Sequence, residues 1–201
     1  MTNVVYRNRN IRMKLFKGWW GEFKTKWALR LGLSYQYKVL NNILIQFKNG
    51  GSTQIDHIAI SRYGIFVIET KHYRGVIKVK PNHKFWVQQI GGYNYEFYNP
   101  IRQNLTHITA IKNITQTTEH YIEGIINFTG DSVFENENEA YKYNVVHLDY
   151  LLATIQCYDE KILSRKQVKQ IYRDIQANSS PATFRNMRRH KKYVKSRQGK
   201  R

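Results

Sequence analysis

The sequence predicts an α/β (α+β) protein, a sheet flanked by helices. Apolar periodicity switches between helical and extended kinds in the order helix, meander, helix, strand, strand, helix, helix, which neither a bundle nor a barrel would show. Hydrophobic residues make up 41% of a chain of 201, enough for the core of one domain. The 15 tyrosines and 9 phenylalanines favour strands over an all-helical bundle.

Residues 1–17 form a basic arm, either disordered or a short surface helix. Trp19 or Trp20, Phe23, Trp27 and Leu29 or Leu31 then recur at helical spacing, so a helix is expected over 19–31 with Gly32 as its C-cap. The tryptophans are expected in the core, and Glu22 complements the helix dipole from the first turn. Residues 35–47 read as a strand interrupted around Asn41 and Asn42, and Lys48-Asn49-Gly50-Gly51 as a turn. Strands follow at 53–60 and 65–71 around the turn Ser61-Arg62-Tyr63-Gly64. Short strands at 75–80, 85–90 and 93–98 continue an antiparallel meander. Asn99 caps a helix with Pro100 at its first position and an apolar stripe through Ile101, Leu105, Ile108 and Ile111, in a segment running to Ile122. A strand at 125–128, an acidic loop at 131–141, a strand at 144–147 and helices to about 156 and over 164–177 complete the domain. The expected plan is therefore an arm at 1–17, a domain at 18–177 and a basic tail at 178–201.

The formal net charge is +19, from 33 Lys and Arg against 14 Asp and Glu, which points to a polyanionic partner. Residues 1–17 hold five basic residues and no acid, residues 183–201 nine and no acid, and the remainder carries a surplus of only five. The tail, with Arg185, Arg188, Arg189, Lys191, Lys192 and Lys195, is either solvated disorder or a nucleic-acid backbone contact with strong salt dependence. The tail has few large apolar residues, which disfavours a membrane anchor. With no signal-peptide run and no long apolar stretch, a soluble, cytoplasmic protein without a membrane partner is expected. The one cysteine, Cys157, excludes an intrachain disulfide or a thiolate metal site and is expected as a small buried apolar residue.

The chemistry lies in the hairpin over 54–75. If Ile60 pairs with Ile65, antiparallel register pairs Ile58 with Val67, Asp56 with Glu69 and Gln54 with Lys71. Asp56, Glu69 and Lys71 then share one face. Both faces of the strands are apolar, Ile55, Ala59, Phe66 and Ile68 on one and Ile58, Ile60, Ile65 and Val67 on the other, as in buried central strands. Opposed carboxylates repel, and burying them unpaired is costly. A Mg²⁺ (or Mn²⁺) ion would offset both, bound by Asp56, Glu69 and the Thr70 carbonyl with water and phosphate completing its shell. Lys71 could then orient or deprotonate an attacking water, or hold a phosphate oxygen. The alternative is an Asp–Lys–Glu ion triplet with no metal.

Gly21-Glu22, VLNNILIQ over 39–46, TQIDHIAIS over 53–61, YGIFVIETKHYRG over 63–75, NPIRQN over 99–104 and VVHLDYL over 145–151 together resemble the nuclease-related domain (NERD) family of the PD-(D/E)XK nuclease superfamily. The resemblance implies a restriction-endonuclease-like central mixed sheet flanked by helices, with Asp56 and Glu69 as metal ligands and Lys71 as the catalytic lysine. It implies that Glu22 approaches the metal from a helix and that Gln103 borders the active site. The implied function is metal-dependent hydrolysis of phosphodiester bonds, in DNA rather than RNA; the alternative is a non-catalytic nucleic-acid-binding module on the same fold. Arg74, after the catalytic lysine, is either a phosphate clamp or a solvated residue. His57 is expected as a hydrogen-bonding core histidine. His107, one helical turn beyond Gln103, could share its face, and Trp86 is left undecided.

Overall fold

The computed structural model of the protein describes residues 11–47 and 51–182. Residues 1–10 of the arm, Lys48, Asn49 and Gly50 of the first turn, and the basic run 183–201 with Arg185, Arg188, Arg189, Lys191, Lys192 and Lys195 lie outside the described residues. The elements in order are α1 (Ile11–Gly32), β1 (Lys38–Gln46), β2 (Ser52–Ser61), β3 (Gly64–Lys71), β4 (Gly75–Lys78), β5 (Phe85–Ile90), β6 (Tyr93–Tyr98), α2 (Pro100–Thr115), β7 (Ile122–Phe128), β8 (Ser132–Phe134), α3 (Glu137–Lys142), β9 (Val145–His147), α4 (Leu148–Gln156), α5 (Arg165–Ala177) and β10 (Ser179–Pro181). The fold is α/β, with two mixed sheets flanked by helices.

The larger sheet has the order β10-β1-β2-β3-β7-β9, and the smaller β6-β5-β4-β8. The expected continuous meander is thus split in two. β3 lies inside the larger sheet, antiparallel to β2 and parallel to β7. Helices cover both its faces, and the runs Ile58–Ile60 of β2 and Ile65–Ile68 of β3 are apolar on both. On one side Ile58, Ile60, Ile65 and Val67 pack against Ile108 and Ile111 of α2 and Ile171 of α5. On the other, Ala59, Phe66 and Ile68 pack against Leu29 of α1 and Leu151 and Ile155 of α4. Each such aliphatic side chain contributes about 1.5–3 kcal/mol by leaving water. A third cluster under the smaller sheet contains Trp86, fully buried, whose Nε1 donates to the Lys80 carbonyl at 2.8 Å.

Helix α2 starts as its residues dictate: the Asn99 side chain accepts from the amides of Ile101 and Arg102, and Pro100 takes the first turn. It stops at Thr115 because Gln116 turns left-handed, so Ile122 belongs to β7 instead. Other expectations are corrected. Helix α1 begins at Ile11, inside the expected arm. The acidic loop at 131–141 contains β8, which pairs in parallel with β4, and α3, capped by Asn136. Residues 179–181 of the expected tail are an edge strand on β1. Trp19, Trp20 and Trp27 are not in the core but exposed, because α1 packs through its opposite face, Gly21, Thr25 and Leu29. Cys157 is exposed too, since it caps α4 at the surface. Among the described residues no helix is long and apolar enough to cross a membrane.

Candidate active site

The β2–β3 ladder pairs Ile60 with Ile65, Ile58 with Val67 and His57 with Ile68, in the register that the turn at Ser61–Gly64 predicts. It ends there. Asp56 and Glu69 are the next residues, but they are not ladder partners. Instead the Asp56 carboxylate reaches across, Oδ2 accepting the Thr70 amide at 2.9 Å. A break in alternation explains this. Ile55 joins Ile58 in the cluster on the α2 side rather than Ala59 on the other, so Asp56 and His57 occupy an irregular step of β2. Asn42 opposite, with φ 51, lies in the left-handed region. The expected placing of Ile55 with Ala59 and Phe66 is therefore wrong, and so is the direct pairing of Gln54 with Lys71: Gln54 aligns with Leu44 of β1 and bonds Asn42.

At the end of β3 the Lys71 ammonium donates to Glu69 Oε1 at 2.5 Å and to Gln103 Oε1 at 3.0 Å. Gln103 arrives from the first turns of α2, which is anchored to the strands by Asn104 donating to the Val67 carbonyl at 2.9 Å. Gly124 leaves room for that contact, since a Cβ there would lie 3.0 Å from Asn104 Nδ2. The other Glu69 oxygen accepts from His107 Nε2 at 3.0 Å. A carboxylate only accepts, so Nε2 carries a proton, and Nδ1 lies 2.7 Å from the Thr53 hydroxyl oxygen. In the chain Thr53–His107–Glu69–Lys71–Gln103 the first three are buried and Lys71 and Gln103 half-buried. His107 and Thr53 are its members that sequence reasoning undervalued. The only sequence signal for His107 was its spacing of four from Gln103.

From the opposite face α1 brings Glu22. Its approach depends on Gly21, where a Cβ would lie 2.8 Å from Thr129 Oγ1 and 2.9 Å from His72 Cβ. Thr25 Oγ1, one turn on, accepts from Thr70 Oγ1 at 3.2 Å and from Asn127 Nδ2 at 2.8 Å. Burial, with Glu69 adding to it against Lys71, pushes the Glu22 carboxyl up to about 7. Burial, then Glu69 and Glu22, holds Asp56 well above the usual carboxylate range. For Glu69 burial acts upward, but Lys71 and His107 outweigh it and hold the group down to about 2. Burial likewise works against the Lys71 ammonium, and Glu69 outweighs it and raises the pKa. Lys71 is thus a proton donor here, with a carboxylate and an amide oxygen as its acceptors. Tyr73, buried against Phe97 and Phe128, is raised by burial and feels both Lys71 and Glu69.

The remaining expected residues lie apart. Arg74 is exposed, its Nε 3.8 Å from Asp131 Oδ2. His57 is a buried histidine whose Nδ1 meets Asn41 Oδ1 at 2.7 Å, and burial lowers it to about 4. Among the described residues no three His, Cys, Asp or Glu side chains form a ready metal cage. Glu69 raises the pKa of both Asp56 and Glu22, and a hard cation that takes few protein oxygens and keeps its waters is the kind of charge that would offset this repulsion.

Fold and site together define a nuclease-type α/β domain with carboxylates and a lysine at the end of a central strand. Residues 17–129 match the family model of the nuclease-related domain, and the chain belongs to that family. An uncharacterized protein of Bacillus anthracis is 31% identical over 160 residues, 80% of this chain and 76% of that one.

Proposed function

We propose that this protein is a metal-dependent nuclease that hydrolyses phosphodiester bonds, in DNA rather than RNA. The observation that carries the reading is the Lys71 ammonium held between Glu69 and Gln103, with Asp56 on the next strand. Asp56, Glu69 and the Thr70 carbonyl would hold Mg²⁺ or Mn²⁺. Bound there, the cation would supply Lewis-acid polarisation of a phosphoryl group and a water of lowered pKa. Lys71 donates to a non-bridging phosphate oxygen and stabilises the charge that grows there. Gln103 and His107 are positioning residues: Gln103 fixes the ammonium, and His107 fixes Glu69. Glu22 is a further carboxyl beside the site, and a cation there would favour its ionised form. Attack by water forms one P–O bond and breaks the ester P–O bond, and the leaving oxygen takes up a proton.

A second reading, a nucleic-acid-binding module without turnover, draws on the engagement of both Glu69 oxygens by Lys71 and His107. Incubation of single- and double-stranded DNA and RNA with the protein in Mg²⁺, in Mn²⁺ and in EDTA separates the two. The nuclease reading expects DNA cleavage with metal, none in EDTA, and none by Asp56→Ala of unchanged circular dichroism. Binding with no cleavage of any substrate in either metal overturns it.

A further inference from the structure

The outward face of α1 is aromatic. Trp19 is 55% exposed, Trp20 43%, Phe23 39% and Trp27 41%. With 3.6 residues per turn, Trp19, Phe23 and Trp27 form one row four apart, with Trp20 beside it. The rings are packed into a continuous surface. Phe23 stacks on Trp19 and on Trp20 with centroids 5.6 Å apart, and Trp27 meets its edge at 6.0 Å. Large apolar rings left in water cost free energy, and a helix facing only solvent would carry polar residues there.

Charge says what covers them. On a helical projection Lys24 borders one flank of the row and Lys26 and Arg30 the other, with the Arg30 guanidinium 5.4 Å from the Trp27 ring centre. A basic-flanked stack of flat rings matches the chemistry of a single nucleic-acid strand, with bases on the rings and phosphates on the cations. A second copy of the chain docked through the same face would set these cations against each other. A duplex hides its base faces. Trp19 to Trp27 spans about 12 Å of helix axis, room for three or four bases at about 3.4 Å each.

One flank of the row leads toward the candidate active site: Glu22 lies on the Lys26 side, between the aromatic face and the buried face of Gly21, and feels the charges of Glu69 and Lys71. We propose that the Trp19–Trp20–Phe23–Trp27 face of α1 is a stacking platform for single-stranded nucleic acid, leading the strand to the centre at Asp56, Glu69 and Lys71. The platform's place in catalysis rests on the nuclease reading, but the binding itself does not.

The test is done in EDTA, so that binding is read whether or not the protein cleaves. Fluorescein-labelled oligo(dT) of about 20 nucleotides is titrated with the full chain, and tryptophan emission is followed alongside anisotropy. Three of the four tryptophans lie on the platform and the fourth, Trp86, is fully buried, so emission reports on this face. The expected result is quenching on binding, weaker binding of the matching duplex, and loss of at least about tenfold in affinity for the double variant Trp20→Ala/Trp27→Ala. Trp20→Tyr/Trp27→Tyr keeps rings and should retain most of the affinity. These residues are exposed, so the variants should fold. Binding by the alanine variant as tight as wild type, or binding without quenching, overturns the proposal. So does a dimer that disappears in the alanine variant, or a blue shift on anionic phosphatidylglycerol vesicles that oligo(dT) does not compete away.

Discussion

His57 and Lys71 show how burial acts on single residues in opposite ways. Lys71 is buried with the Glu69 carboxylate bonded to it and stays charged; for His57 burial outweighs the pull of Glu69, with Lys26 adding to it, and the ring is lowered to about 4. An unfolded histidine titrates near 6.5. Between pH 6.5 and about 4 the unfolded chain therefore binds the proton that the folded chain refuses, and stability falls as pH falls through that window. His57 should cost on the order of 2 kcal/mol between pH 7 and pH 5. Glu22 and Asp56 work the other way, since a carboxyl raised in the fold favours folding at lower pH. Urea melts of wild type and His57→Asn at both pH values isolate the histidine: the variant should lose less stability on acidification, and an equal loss would rule the assignment out. His107 acts through Glu69. His107→Ala should lower cleavage sharply and His107→Gln, which can still donate to Glu69, should restore part of it. A loss equal in both would mean that His107 only packs.

The elements follow local rules where local signals are complete. The hairpin register was legible because Ser61–Gly64 is a compact turn between two unbroken apolar runs, and α2 because Asn99-Pro100 is an unambiguous start. Strands β8 and β10 were not legible: three residues each, they exist through their partners β4 and β1, not through any period of their own. The irregular step at Asp56 was hidden for a related reason. The interruption expected at Asn41 and Asn42 is there, with Asn42 left-handed, but alternation along β2 predicts a regular strand, whereas Ile55 joins Ile58 on the α2 side. In α1 the period was right and the face wrong. Periodicity marks a stripe without saying that it is the buried one, and here the sheet takes the small residues Gly21 and Thr25 because the helix approaches so closely. Gly21→Ala should therefore destabilise by about 1–3 kcal/mol and move Glu22 away from the site. Thermal melts and cleavage assays would both register it, and an unchanged melting temperature would show that α1 is not held against β3 and β7 in this way.

For the molecule as a whole, charge and chemistry are separated. The site is carboxylate-rich, while much of the +19 charge lies in terminal runs. Removing residues 183–201 should weaken binding to DNA and flatten the dependence of affinity on salt, because fewer counterions are released. It should leave the single-turnover rate at saturating protein unchanged. An unaltered salt slope would show that these cations do not meet the backbone. In the sequence, family motifs pick out Asp56, Glu69, Lys71 and Gln103, whereas the expected pairing of Asp56 with Glu69 does not hold; His107 was only a neighbour of Gln103 by spacing and Thr53 carried no signal, since only the docking of α2 brings them together beside Glu69. The account stands or falls on Lys71 as the charge that stabilises a reacting phosphate. The deciding measurement is the single-turnover cleavage rate of DNA in Mg²⁺ by wild type and by Lys71→Ala at equal occupancy. The prediction is a fall of at least about a hundredfold with binding retained, and equal rates for the two proteins would contradict it.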